Sequence, residues 1–360
     1  MRSLVRAVLR SSLHQIRHVD AVPPGRAQGQ VAQVYAQAER DFGVLAPPLA
    51  LHSPAPAVLA ASWLLLRETL LVEGVVSRAA KEVVATEVSR ANSCPYCVDV
   101  HQAAAETLTA APQGEHADLA DWARTCRPSP GPTQECGPPP FTALEAPELC
   151  GVAVTFHYLN RMVSVFLADS PVPAQAPDLA RGPILRTVAR SMTAASGRPL
   201  APGAALELLP SAQLPAGLEW AEGNPAVAGA LARACHAVNR SAAWVPEQVR
   251  QRVYNRFALW NGAPAGPTAG WFEDAVIGLP TSDRPTAKLA LLTAYAPYRV
   301  TEADVSAFRD RHPTDRELIE LTSWAAMTTA LRIGTWLPLP VRAPRAVPEP
   351  ADVPATPRGR

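Results

Sequence analysis

The chain has 360 residues, 48% of them apolar, which is enough for a sizeable globular core. Its 33 basic and 32 acidic side chains leave a formal net charge of +1, so no overall field attracts nucleic acid or an anionic membrane. We therefore expect a small molecule or another protein as the partner.

The first predicted element is a basic amphipathic helix, in which four arginines before residue 18 alternate with apolar residues. We interpret it as a helix packed on the body of the protein; a transit peptide or a surface anchor is the alternative. The stretch lacks the continuous apolar segment of a secretory signal. The expected location is the cytoplasm, where thiols stay reduced and six cysteines do not form a disulfide framework.

The segments that follow are rich in Ala, Leu, Val, Arg and Glu, with helical spacing and no β-type alternation. An all-α fold is predicted. The 38 prolines, roughly twice the usual share, cluster between these segments. They divide the chain into an N-terminal helical segment (1–44), a helical core (45–170), a Pro-rich linker region (171–220), a second helical unit (221–337) and a disordered Pro-rich tail (338–360).

The motif that stands out in the helical core is "SCPYCVDVH" (93–101). Pro95 is favoured in a first helical turn, so a helix is predicted from there onward. Cys94, Cys97 and His101 then lie at i, i+3 and i+7, on one face. Unpaired N–H groups and the helix dipole stabilise a thiolate in the first turn, with Cys94 expected at the more exposed end and Cys97 nearer His101.

Glu82 lies twelve residues before Cys94, in a stretch that also has helical spacing. Two antiparallel helices joined near residues 91 and 92 bring its carboxylate beside His101. A carboxylate, an imidazole and a thiol in that order form a proton relay. The alternative is that Glu82 is a solvated helix residue paired with a neighbouring base.

Three other identities remain open for the cysteine pair. "CPYC" is the glutaredoxin active-site tetrapeptide, although that fold requires a β-strand before the motif. Cys94, Cys97 and His101 can supply three zinc ligands and Cys126 a fourth, although structural sites usually pair two closely spaced knuckles. Buried structural cysteines are the third possibility.

The two halves of the chain resemble each other when the sequence is shifted by 169 positions. We interpret the second half as a second copy of the helical core; chance similarity between two alanine-rich helical stretches is the alternative. The shift indicates that the second copy has lost the candidate site, because it pairs Glu82 with Gln251, Cys94 with Ala263, Cys97 with Gly266 and His101 with Gly270.

Glu82, the CPYC tetrapeptide and His101 at this spacing resemble the signature of the AhpD-like alkylhydroperoxidase family, which includes carboxymuconolactone decarboxylases. The resemblance is strongest over residues 52–108 and extends to 147–166. It implies an AhpD-like all-helical fold and a thiol-dependent peroxidase or disulfide reductase. By resemblance Cys97 is the peroxidatic nucleophile, Cys94 the resolving thiol, and Glu82 with His101 carries the proton.

The family also implies a dithiol reductant, either a lipoyl-bearing or a thioredoxin-like protein, and a homo-oligomer. The best-known peroxidase member has a histidine where this chain has Tyr96, which can donate a hydrogen bond but cannot take up a proton near neutral pH. No phosphate-binding loop is found, and no cofactor is expected. A decarboxylase-like lyase and a non-catalytic redox-sensing scaffold are the alternative functions.

Two further groups of residues have a structural and a functional interpretation. His157 and Arg161 are one turn apart on a predicted core helix, where they either line the pocket near Cys97 or form a buried hydrogen-bonded set. Six of the eight tryptophans lie in the second half, which favours packing over a cofactor site.

Overall fold

The computed structural model of the protein describes residues 12–108, 116–125, 138–172, 176–193, 199–260 and 270–340. Every regular element in these ranges is helical, which confirms the all-α class. The α-helices are α1 (Gly29–Gln37), α2 (Pro47–Ala50), α3 (Pro56–Leu65), α4 (Arg78–Ala91), α5 (Pro95–Leu108), α6 (Ala117–Thr125), α7 (Ala146–Phe166), α8 (Asp178–Thr193), α9 (Pro225–Ser241), α10 (Glu247–Leu259), α11 (Gly270–Val276), α12 (Arg284–Tyr295), α13 (Glu302–Arg309) and α14 (Asp315–Gly334).

Two predicted terminal elements fall largely outside the described residues. Of the predicted N-terminal basic helix, Ser12–Gln15 forms a short 3₁₀ helix. The predicted Pro-rich tail lies beyond residue 340, apart from its first three residues.

Capping side chains and first-turn prolines determine where several of the helices begin. The hydroxyl of Ser77 accepts a hydrogen bond from the Ala80 N–H and caps α4. Pro56 and Pro225 occupy the first turns of α3 and α9, where a missing N–H costs nothing. Thr314 forms a reciprocal capping box at the start of α14.

Helix α7 is the centre of the core. By length and composition it is apolar enough to cross a membrane, yet 94% of its most apolar window is buried inside the protein. It packs against α4 on one side and α14 on another. One continuous cluster of buried apolar residues extends from Val19 to Leu337, so both halves of the chain share a core.

The region predicted as a Pro-rich linker, 171–220, contains helix α8. Pro183 lies inside this helix, where it removes one backbone donor. Helix α8 packs against α5, and Ala189 and Met192 are buried. This region therefore supplies part of the environment of the cysteine motif.

Three helices of the first half and three of the second start 169 residues apart. The pairs of first residues are Pro56 and Pro225, Arg78 and Glu247, and Ala146 and Asp315. Helix α3 packs against α9, and α7 packs against α14. In these two pairs each helix thus meets the helix that starts 169 residues away in the other half, as in a two-fold symmetric dimer interface.

Candidate active site

A tight turn between α4 and α5 positions the cysteine pair. Ser93 adopts a left-handed conformation (φ 54°), and the Cys94 N–H donates to the Ser89 carbonyl at 3.0 Å. The Cys94 carbonyl accepts from the Val98 N–H at 3.1 Å, which makes Cys94 the N-cap residue of α5. The predicted helix after Pro95 is confirmed.

Both cysteines are free and buried. Cys94 is 1% exposed and Cys97 is 4% exposed, so the expectation that Cys94 lies at a more exposed end is wrong. The reason is that the turn directs the start of α5 into the shared apolar core, which contains both side chains.

The environment of the Cys97 thiol disfavours its thiolate in the resting state. Burial raises its pKa well above the usual range, and the hydrogen bond and charge of Cys94 raise it further. A hydrogen bond with Asn160 acts in the opposite direction. A partner must therefore take the proton of Cys97 before its sulfur can act as a nucleophile.

The antiparallel α4–α5 pair brings Glu82 to His101, as predicted. The Glu82 Oε2 atom lies 2.6 Å from His101 Nδ1, and Glu82 is fully buried, so its interpretation as a solvated residue is wrong. Arg78, one turn earlier on α4, donates from Nε to Glu82 Oε1 at 2.8 Å. This third member was missed in the sequence, although its i, i+4 spacing from Glu82 is the signal that could have identified it.

Charge pairing keeps Glu82 ionised in spite of its burial. Burial acts to raise the pKa of the carboxyl, but Arg78 and His101 outweigh it and hold the pKa below its usual range. An ionised carboxylate can only accept a hydrogen bond, so His101 Nδ1–H donates to Glu82 Oε2, and in the neutral ring Nε2 is the base. The ring is fixed edge-on against Phe156, at 4.6 Å between centroids.

A cavity of about 80 Å³ opens beside this group and is lined by Cys97, His101 and Tyr96. The rest of its wall is almost entirely apolar and comes from residues 42–49, α3, Leu66, α5, α7, Pro171 and α8. Cys94 is not among the lining residues. A small apolar molecule in the cavity therefore meets Cys97 and not Cys94.

Tyr96 stands in the cavity wall as a neutral phenol. Burial, followed by the charges of Cys97 and Cys94, raises its pKa above the usual range for tyrosine. Its hydroxyl can donate a hydrogen bond but does not ionise near neutral pH.

A buried amide network supports the cysteine turn from α7. Asn160 Oδ1 accepts from Asn92 Nδ2 at 2.9 Å, and Asn160 Nδ2 donates to Ser89 Oγ at 3.0 Å. His157 Nδ1 lies 3.1 Å from Asn92 Oδ1, and Arg161 donates to the His157 and Ala294 carbonyls. Neither His157 nor Arg161 lines the cavity, which agrees with the structural interpretation of this pair.

The residues 169 positions after the site residues do not form a similar site among the described residues. Gln251 is exposed and bonds Asn255 on its own helix, and Gly270 begins α11. Ala263, Gly266 and the fourth candidate zinc ligand, Cys126, lie outside the described residues. Within the described ranges, no three His, Cys, Asp or Glu side chains are grouped as metal ligands.

Comparison with known proteins gives two matches. The sequence model of the carboxymuconolactone decarboxylase family matches residues 57–130, which include the whole Glu82, Cys94, Cys97 and His101 group. A curated protein, "Alkyl hydroperoxide reductase Rv2159c" of Mycobacterium tuberculosis (strain ATCC 25618 / H37Rv), is 38% identical over 337 residues, covering 89% of this chain and 95% of that protein. The similarity thus extends through both halves.

Proposed function

We propose a function for this chain from its family, since it belongs to the carboxymuconolactone decarboxylase family. In this proposal it is a thiol-dependent peroxidase or disulfide reductase that acts through Cys97 and Cys94. The observation that carries the proposal is the position of Cys97, which lines an apolar cavity together with His101, whose ring is held by the buried Glu82. The relative named as an alkyl hydroperoxide reductase supports an organic hydroperoxide as the substrate.

The first step uses the carboxylate, imidazole and thiol as a relay. His101 takes the Cys97 proton, directly or through a water, and Glu82 stabilises the resulting imidazolium. The Cys97 thiolate attacks the terminal oxygen of the hydroperoxide. The S–O bond forms while the O–O bond breaks, and the leaving alkoxide takes the proton from His101 and departs as an alcohol.

The second step closes a disulfide. The Cys94 sulfur attacks the Cys97 sulfenic acid, the S–O bond breaks, and the sulfenic oxygen leaves as water. Cys94 begins the helical turn that contains Cys97, so the two sulfurs need little backbone movement to meet. An external dithiol then reduces the disulfide and is itself oxidised.

Access to the pair favours a slender reductant. Cys94 is almost fully buried, whereas Cys97 faces the cavity. A lipoyl-type dithiol on a flexible arm fits this access better than a cysteine on the surface of a folded thioredoxin-like protein. The protein is also proposed to be cytoplasmic and homo-oligomeric. Residues 221–337 are proposed to be a degenerate second AhpD-like copy, and the 169-residue spacing of the helix starts supports this part of the proposal.

The central experiment measures organic hydroperoxide consumption with dihydrolipoamide, thioredoxin and glutaredoxin offered in turn. We expect turnover with dihydrolipoamide and the loss of two free thiols on treatment with one equivalent of hydroperoxide. Absence of both turnover and thiol loss would reject the redox function and favour a decarboxylase-like lyase or a scaffold.

A second experiment separates the two sulfurs. The Cys94→Ser protein should react once and stall as a Cys97 sulfenic acid that dimedone labels, whereas Cys97→Ser should give no rapid reaction. Dimedone labelling of Cys94 in the Cys97→Ser protein, with none in the other variant, would reverse the roles.

A further inference from the structure

A second group of polar side chains comes from α7 in the first half and from four helices of the other half, and it surrounds Tyr295. We call it the arginine–aromatic cluster, and its members are Arg161, Arg256, Trp271, Tyr295, Arg332 and Trp336. The Trp271 ring meets the Tyr295 ring edge-on at 5.7 Å. The Arg256 guanidinium lies 5.1 Å from the Trp271 ring centre, and that of Arg332 lies 4.6 Å from the Trp336 ring centre.

Among the described residues, the cations of this cluster have no acidic partner. Among the residues described by the structure, no carboxylate forms an ion pair with Arg161, Arg256 or Arg332. Arg161 is 6% exposed and donates to the backbone carbonyls of Ala294 and His157. Burial lowers its pKa to about 9, which reflects the cost of holding a cation without a counter-charge.

Several hydrogen-bond donors in the cluster are buried without an acceptor. Within the described ranges these are Tyr295 Oη, Trp271 Nε1 and Arg332 Nε. Buried donors normally have partners, and leaving one unmade costs about 1–3 kcal/mol. Burial raises the pKa of Tyr295, against the opposing charges of Arg256, Arg161 and Arg332, so its hydroxyl keeps its proton and remains a donor.

We infer that the arginine–aromatic cluster is a binding site for a small organic anion, a carboxylate carried on an aromatic group. Guanidinium groups match carboxylates in geometry, and buried N–H and O–H donors orient them. The indole and phenol rings supply apolar walls for the attached ring. This site is separate from the cysteine pair and does not depend on the proposed peroxidase function.

The 169-residue correspondence agrees with this placement. It pairs Arg332 with Val163, which lines the Cys97 cavity. The second half has a cation where the first half has an apolar cavity residue. A binding function explains why buried donors at Tyr295, Trp271 and Arg332 are left without an acceptor.

The test is calorimetric titration of the full chain with benzoate, with neutral benzamide and with inorganic phosphate. Benzoate should bind at a single site and raise the melting temperature, and benzamide should do neither. Phosphate should bind more weakly because it lacks the aromatic group. Equal binding of benzamide and benzoate, or no benzoate binding at millimolar concentrations, would overturn the inference.

Variants identify the site. Arg332→Gln should weaken benzoate binding about tenfold or more, equivalent to about 1.4 kcal/mol, and Tyr295→Phe by a smaller factor. Arg332→Lys should retain part of the affinity, and Arg240→Gln, an exposed arginine in the last turn of α9, should retain all of it. If the lysine and glutamine variants are equally impaired, or if neither is, charge at this position does not hold the anion.

The Cys97→Ser protein tests anion binding independently of the proposed peroxidase function. It should bind benzoate as the unaltered chain does, whether or not the unaltered chain consumes hydroperoxide. Loss of binding in this variant would show that the anion sits in the Cys97 cavity instead, and would contradict the assignment to the arginine–aromatic cluster.

Discussion

Helices α4 and α10 start 169 residues apart, and the residues that this shift pairs differ in burial and in charge pairing. In α4, Arg78 and Glu82 are buried and paired with each other. In α10, the corresponding Glu247 and Gln251 are exposed. Because burying an ion pair rarely adds stability over an apolar alternative, its retention in α4 indicates a use beyond packing.

The largest difference between the halves is expected in the rate of hydroperoxide consumption after a buried cysteine is replaced. Cys97→Ser should reduce hydroperoxide consumption to the uncatalysed rate, because it removes the nucleophile. Cys235→Ser, at a buried cysteine of α9 whose pKa burial raises to about 12, should leave the rate unchanged. The measurement is the initial rate with dihydrolipoamide, and equal loss in two well-folded variants would remove the distinction between the halves.

The next largest effect should be on stability, at Lys81. This fully buried side chain donates to Glu148 Oε2 at 2.7 Å and to the Val72 carbonyl at 2.6 Å. Lys81→Met leaves the Glu148 carboxylate buried without its cation, and should lower the free energy of unfolding by about 3–5 kcal/mol. Urea denaturation followed by circular dichroism measures it.

The matched control for Lys81 is Arg250, the residue 169 positions later. It is half-buried and donates to the carbonyls of Ala242 and Val245. Arg250→Met should cost about 2 kcal/mol, the value of hydrogen bonds from a charged donor. A cost equal to that of Lys81→Met would show that both halves depend on buried charge to the same degree.

Acid should destabilise the protein through His52, whereas the residue 169 positions later is the buried Ala221. Burial lowers the pKa of His52 to about 4, from 6.5. Between pH 6.5 and pH 4 the unfolded chain therefore binds a proton that the folded chain does not, and stability falls as the pH falls. The loss should approach about 3 kcal/mol at pH 4.

The contribution of His52 is measured by urea denaturation across this pH range. His52→Ala should remove that part of the slope, because the variant has no imidazole to protonate on unfolding. An identical slope in the two proteins would assign the acid sensitivity to other groups.

Apart from the control variants, the smallest of these effects is expected at Glu82. Glu82→Gln removes the charge that stabilises the His101 imidazolium, and should slow the reaction of Cys97 with hydroperoxide about 100-fold. Gln251→Glu, the reverse change at the exposed counterpart, should leave this rate unchanged. The pH profile of Cys97 alkylation is the second readout, and an unchanged profile in Glu82→Gln would mean that the carboxylate takes no part in proton transfer.

The sequence predicted the contact between Glu82 and His101 because a short turn between two helices leaves few ways to arrange them. It did not predict the burial of Cys94, which depends on a left-handed Ser93 and on packing against distant elements. Nor did it predict that α8 closes the cavity, since Pro183 and the nearby proline clusters are typical of linkers. Local spacing determines which residues of neighbouring helices meet, whereas the cavity depends on contacts between segments far apart in the chain.

The packing of α3 against α9 and of α7 against α14 joins two halves that share one polypeptide. Two separate subunits with the same contacts would come apart on dilution, because their association is bimolecular. A covalent connection sets the effective concentration of one half near the other, which is typically in the millimolar range for short flexible tethers. The contact between the halves should therefore persist at any dilution, even where the protein is scarce.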